Sequence, residues 1–118
     1  MDIINGNFKG KDILSFDQFS TKDLDKLFTV TKKMKDIASN AKPSDILKGN
    51  IVTLIFYEPS SRTFGSFAAA VKQLAGQTVE IQDPQHFSSV SKGETLEDTI
   101  RVFEANSDAI VIRPHVKG

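Results

Sequence analysis

A chain of 118 residues is long enough for one domain or a large piece of one. Apolar residues make up 39% and charged residues 25%, with 15 basic against 15 acidic side chains. That excludes the disordered classes and leaves no overall field to draw nucleic acid or an anionic membrane, so any anion site has to be local. The absence of cysteine removes disulfides, thiolate zinc sites and a cysteine nucleophile together. The longest apolar run, Ile51 to Tyr57, is strand-sized, so no membrane span is expected. The polar stretch from Met1 to Lys11 lacks the apolar centre of a secretion signal, and none is expected.

Residues 1–19 hold two glycines and scattered apolar residues and read as an extended lead-in. Ser20-Thr21-Lys22-Asp23 has the form of a capping box and predicts a helix to about Ser39. Leu24, Leu27, Phe28, Thr31, Met34, Ile37 and Ala38 recur on one face of it, with charged residues opposite. Pro43 and Gly49 punctuate the following loop. Ile51-Val52-Thr53-Leu54-Ile55-Phe56-Tyr57 is the continuous β-branched and aromatic run of a strand covered on both faces. After the turn Glu58-Pro59-Ser60-Ser61, a second helix starts near Arg62, buries Phe67, Ala70, Val71 and Leu74, and ends at Gly76. A short strand at Thr78–Ile81, a polar loop over 82–93, a helix from about Thr95 to Glu104 and a strand at Ala109–Arg113 follow. The third helix should turn Leu96, Ile100 and Phe103 inward. Strand, helix, strand, helix, strand predicts an α/β fold with a parallel, doubly wound, Rossmann-like sheet, to which further strands are expected to be added beyond residue 118.

Three features carry candidate chemistry. Tyr57-Glu58-Pro59-Ser60-Ser61-Arg62-Thr63 sits where a buried strand hands over to a helix. Free backbone N–H groups there, three hydroxyls and one guanidinium suit a phosphate; a plain helix cap with an exposed arginine is the competing account. Ser88 to Thr95 puts Lys92 beside Gly93 in a polar loop, either as a movable positive charge or as ordinary solvated loop. Arg113 ends an otherwise apolar strand and, in a parallel sheet, faces the same crevice as the first turn, unless it serves a salt bridge.

Taken together these segments resemble the carbamoyltransferase family. Phe56 to Thr63 with Ser66-Phe67 is similar to the signature F-x-E-P-S-T-R-T followed by S-F. Lys92-Gly93-Glu94-Thr95 with Asp98-Thr99 resembles the K-G-E-T-x-x-D-T segment of the aspartate branch, which the ornithine branch lacks, and Asp108 to Arg113 resembles the next strand. The resemblance implies transfer of the carbamoyl group of carbamoyl phosphate to L-aspartate, giving N-carbamoyl-L-aspartate and phosphate for pyrimidine synthesis. It implies no metal, no organic cofactor, and a cytoplasmic enzyme. On the matching positions, Ser60, Ser61, Arg62 and Thr63 would hold the phosphate. Thr63 and Arg113 would also reach the carbamoyl oxygen. Ser88 and Lys92 would enter a neighbouring subunit's site within a homotrimer, Lys92 touching both phosphate and aspartate. Glu58 would bridge to a second domain on closure. Regulatory chains partner some members of the family.

Two positions depart from the signature: Ser61 stands where Thr is usual, and Phe64 stands where many members carry Arg, which is expected to change packing at the helix start. The sequence holds the N-terminal portion of a carbamoyl-phosphate-binding domain over residues 1–118. The H-P-x-Q segment and the aspartate-binding domain of the family are not found in it, and neither His86 nor His115 fits that segment. The chain alone is therefore expected to have negligible transferase activity. A non-catalytic anion-binding or trimerisation module, and an enzyme with another amine acceptor, are the other readings the residues allow.

Overall fold

The β-branched run forms the first strand, β1, at Ile51–Phe56, and five of its six residues are buried. It is the middle strand of a three-stranded parallel sheet. In a computed structural model that describes residues 1–40, 42–83 and 96–114 (without the side chain of Leu96), the chain divides into two compact units, Met1–Lys42 and Pro43–Gly118. The second unit holds β1, helix α2 (Ser61–Gln73), β2 (Gln77–Gln82), helix α3 (Leu96–Glu104) and β3 (Ala109–Arg113).

The strand order is β2-β1-β3. The chain leaves β1 toward one side for β2 and then crosses back to the other side for β3. Right-handed crossovers in opposite directions put their helices on opposite faces of a sheet. The packing agrees. Val52, Leu54 and Phe56 form one face of β1 and bury against Phe64, Ala68 and Val71 of α2, with Leu47 and Val111 at the margin. On the other face Thr53 is fully buried, and its hydroxyl shares a short hydrogen bond with that of Ser107, just past α3. Ser107 Oγ in turn donates to Phe103 O at 2.7 Å. Asp108 locks the other end of the strand: its carboxylate accepts from Ile51 N and its own N–H donates to Ile51 O, both at 2.8 Å.

The face that α2 buries is rotated from the one expected. Val71 is buried as expected and Leu74 is half-buried, but Phe67 (41%) and Ala70 are exposed, and Phe64 and Ala68 are buried instead. The helix carries two overlapping apolar stripes, and periodicity alone does not choose between them. The connection to β2 decides in favour of the first. Gly76 N donates to Val71 O at 2.9 Å, closing a Schellman-type end, and the left-handed residue is Ala75 (φ +68°) rather than a glycine. A Cβ on Gly76 would lie 2.7 Å from Val71 Cγ1 and 3.1 Å from Leu47 Cβ, so the missing side chain lets the turn press against the core.

The first unit holds helix α1 at Thr21–Ser39, started by the expected capping box of Ser20 and Asp23. Its apolar stripe is present, but Leu27 and Phe28 remain exposed at 40% and 59%. Residues 1–19 are not an extended lead-in. They wrap around the buried Gln18, whose amide is fully satisfied. Its Nε2 donates to Asp2 O (2.7 Å) and Asp12 O (2.9 Å), and its Oε1 accepts from Leu14 N (2.7 Å) and Ser15 N (2.8 Å). The Asp23 carboxylate ties this wrap to the helix by accepting from Ser20 N at 2.8 Å and Gly6 N at 2.7 Å. The backbone donor of Ser20 first, and then that of Gly6, hold its pKa below the ordinary 3.8 against the opposing effect of desolvation.

Two predictions follow from these contacts. Because the folded-state pKa of Asp23 is depressed, its contribution to stability is complete above the ordinary aspartate range and is lost as pH falls through the lower folded value. The protection of the Gly6 and Ser20 amides, taken against the intrinsic exchange rate at each pH, should fall selectively on acidification, and Asp23→Asn should remove most of that fall. Gly76→Ala should destabilise the second unit by about 1–3 kcal/mol through overpacking, while Ala75→Gly should stabilise it by a few tenths to about 1 kcal/mol by relieving the left-handed backbone. Urea denaturation of both variants checks the opposite signs.

Candidate anion site at the strand-to-helix corner

Strand order reverses on passing β1, so the crevice beyond the carboxyl ends of β1 and β3 is the topological switch point of the sheet, where open α/β folds bind ligands. The carboxyl end of β1 is held on both edges. Tyr57 N donates to Arg113 O at 2.9 Å on the β3 side, and Asp83 N donates to Phe56 O at 2.7 Å on the β2 side. With its neighbours fixed, the chain leaves β1 at Glu58 and turns through Pro59 and Ser60 into α2.

Arg113 reaches this turn because of register. Val111 pairs with Leu54 and Arg113 with Phe56, so side chains at 111 and 113 share the sheet face covered by α2. Arg113 Nη1 donates to Ser60 Oγ at 3.2 Å, joining residues 53 apart in sequence. The guanidinium is half-buried, and its Nε is buried with no hydrogen-bond partner among the described residues. A buried donor on a cation with no partner among the described residues is costly.

Ser60 is the N-cap residue of α2, with φ −157° and ψ 73°, yet its hydroxyl makes no cap hydrogen bond. The first intrahelical bond runs from Phe64 N to Ser60 O at 2.9 Å. The N–H groups of Ser61, Arg62 and Thr63 precede it and have no acceptor within the helix, which leaves partial positive charge at the corner. The side chains of Ser61, Arg62 and Thr63 are exposed on this first turn. The structure thus brings Ser60 and Arg113 together; no hydrogen bond joins Arg62 or Thr63 to Arg113. Glu58 is half-buried at the end of the turn. Ser88 and Lys92, and also His86 and His115, lie outside the described residues.

Asp83 was not legible as part of the corner: just past β2, it adopts φ +49° and closes the second edge of β1, a role visible only once the parallel register is known. Phe64 alters packing at the helix start, as expected: it packs edge-on against Phe56, with ring centroids 5.1 Å apart and planes at 89°, and so anchors the first turn of α2 to the strand it leaves. Among the described residues no group of three or more His, Cys, Asp or Glu could hold a metal ion.

An open parallel sheet with an uncapped helix start and a half-buried arginine at its switch point is the arrangement of an α/β domain with a candidate anion site. Residues 11–118 match the aspartate/ornithine carbamoyltransferase, carbamoyl-P binding domain, and the chain belongs to that family. It is 41% identical over 115 residues to an aspartate carbamoyltransferase described as chloroplastic from Pisum sativum, covering 98% of this chain and 30% of that protein. The catalytic subunit of M. jannaschii aspartate transcarbamoylase superposes with a TM-score of 0.81 at 36% identity, over 92% of this chain and 35% of that one. The Trypanosoma cruzi aspartate transcarbamoylase in complex with carbamoyl phosphate and aspartate gives a TM-score of 0.80 at 39% identity, over 96% and 34%. The chain therefore spans about a third of the length of the relatives it matches.

Phe64→Ala should destabilise the second unit by about 3–5 kcal/mol, the usual loss for a buried aromatic, and should loosen the first turn of α2 in particular. Phe64→Leu should recover roughly half of that, since it refills most of the volume. Thermal unfolding, with amide exchange at residues 61–64, distinguishes the local from the general effect.

Proposed function

We propose that the protein to which this chain belongs is an aspartate carbamoyltransferase, and that this chain supplies its grip on carbamoyl phosphate. The observation that carries the proposal is the Arg113–Ser60 contact at the switch point, with Arg113 Nε left unmatched beside an uncapped helix start. Carbamoyl phosphate is a small dianion, and its phosphate gains charge as the C–O bond breaks. A helix N-terminus, two arginines and hydroxyl donors answer that charge without a metal.

In the proposed reaction the α-amine of L-aspartate attacks the carbamoyl carbon. The carbonyl oxygen takes up negative charge, stabilised by Arg113 and the hydroxyl of Thr63. The bond to phosphate then breaks, and phosphate leaves with its charge held by the amides of residues 61–63, Ser60 and the Arg62 guanidinium. The proton lost by the amine goes to the departing phosphate. Much of the acceleration comes from holding the two substrates in line. Ser88 and Lys92 are proposed to enter the site from a neighbouring subunit of a homotrimer, with Lys92 contacting aspartate as well, and Glu58 to link to the second domain on closure. The K-G-E-T segment at Lys92–Thr95 supports aspartate over ornithine as acceptor.

Carbamoylation assays of the full-length protein test this. Aspartate should be carbamoylated and ornithine should not. Arg113→Ala should lower kcat/KM by about 10²–10³-fold, the usual cost of removing one oxyanion donor. Arg62→Ala should weaken inorganic phosphate binding by about 10-fold or more, as expected for a charge-assisted pair. Unchanged turnover in Arg113→Ala, or preference for another amine, would sink the assignment.

A further inference from the structure

Ser60 and Arg113 meet in a way that the binding role of either does not require. A serine hydroxyl has one proton to give and two lone pairs to accept with. Here its oxygen accepts from Arg113 Nη1 at 3.2 Å and accepts nothing from the N–H groups of the helix it precedes. Ser20 ahead of α1, and Ser15 ahead of the short 3-10 turn at Phe16–Gln18, instead form full capping boxes, their oxygens accepting from backbone N–H. At Ser60 the oxygen is left to the guanidinium, and the hydroxyl proton can be directed to an acceptor outside the helix. Arg113, for its part, arrives on the apolar face of the sheet, beside Phe56 in register, where a long cationic side chain has few polar partners. Among the described residues its Nε is buried without a hydrogen-bond partner, and its guanidinium donates to the Ser60 hydroxyl.

We propose that Ser60 is a positioning residue for Arg113: its hydroxyl oxygen holds the guanidinium at the mouth of the crevice before the anion arrives, and its O–H donates a hydrogen bond to the anion once it is bound. This rests on the anion-site function proposed above and adds a coupling to it. A hydroxyl that accepts from a guanidinium is polarised and becomes a stronger donor, so the bond to Arg113 and the bond to the anion reinforce each other. Both can exist at once, because they use different atoms of the hydroxyl. Without Ser60 the guanidinium loses this restraint at the crevice and has to be ordered more by the ligand itself, which lowers apparent affinity.

A double-mutant cycle in the full-length protein tests the coupling, with inorganic phosphate binding read by calorimetry and kcat and KM measured for carbamoyl phosphate. Ser60→Ala should weaken phosphate binding by about 10-fold or more in the presence of Arg113, and by less than about 3-fold in an Arg113→Ala background. Ser60→Thr keeps the hydroxyl and should restore most of the affinity. If an alanine variant folds poorly, the same comparison uses Ser60→Gly and Arg113→Lys, and the ¹⁵N resonance of Arg113 Nε should broaden on loss of Ser60 before phosphate is added. Equal penalties for Ser60→Ala with and without Arg113, in a protein that binds phosphate, overturn this inference alone. Absence of phosphate binding by the wild-type protein overturns the proposed function, and this inference with it.

Discussion

A parallel strand with a neighbour on each edge and a layer on each face has nowhere to go at its end except out of the sheet. β1 is such a strand. Tyr57 N and Asp83 N tie its last turn to β3 and β2, and the side chains before it are buried on both faces. The chain must leave at Glu58, and the helix that follows must begin at the switch point with its N–H groups turned toward the crevice. The positive corner is thus a consequence of strand order before any charged side chain is considered. Arg113 adds to it because its place in the register, opposite Phe56, fixes the face on which it emerges.

The same geometry explains why a cation is tolerated there. A half-buried guanidinium whose Nε has no partner among the described residues carries a local cost, of the order of 1–3 kcal/mol for a lost hydrogen bond at a charged group. Among the described residues the Ser60 hydroxyl is set against that cost. Under the proposed function a dianion at the corner adds charge-assisted bonds to the guanidinium. The surface pair Lys72–Glu80 is different in kind. Both partners are well exposed, and Thr78 is the larger cause of the lowered Glu80 pKa, so it serves neither site nor stability to any great degree.

Much of the fold was legible. The limits of β3 and the cap of α1 followed from β-branched composition and the S-x-x-D pattern, and β1 was read to within one residue, since each is a local signal. The face of α2 was legible only at Val71, because Phe64/Ala68/Val71 and Phe67/Ala70/Val71/Leu74 are both helically periodic, and the close turn at Gly76 favours the first. The wrap of residues 1–19 was missed for a related reason: its centre is a polar side chain, Gln18, satisfied by four backbone groups, and such a centre leaves no hydrophobic pattern. At the site, the serines, Arg62, Thr63 and Arg113 were singled out by residue type and by their likeness to a family signature. Their arrangement required the parallel register, which brings together residues 53 positions apart.

The helix start at Ser60 shows how function is written against local preference. A serine at an N-cap normally spends its hydroxyl on the helix, and forgoing that bond costs about 0.5–2 kcal/mol. Ser15 and Ser20 of this chain make the ordinary choice. At Ser60 the backbone takes up ψ 73° instead, and the hydroxyl turns to a guanidinium delivered by another strand. The loss is offset in part by Phe64, which pins the same turn to Phe56 from below and allows the helix to start without its cap. An uncapped N-terminus that is nonetheless rigid is what an anion site needs: the amides stay free, and little order has to be created when the ligand binds. The aromatic residue at position 64, where many members of the family were expected to carry arginine, thus contributes to the corner through packing while the arginine of β3 contributes through charge.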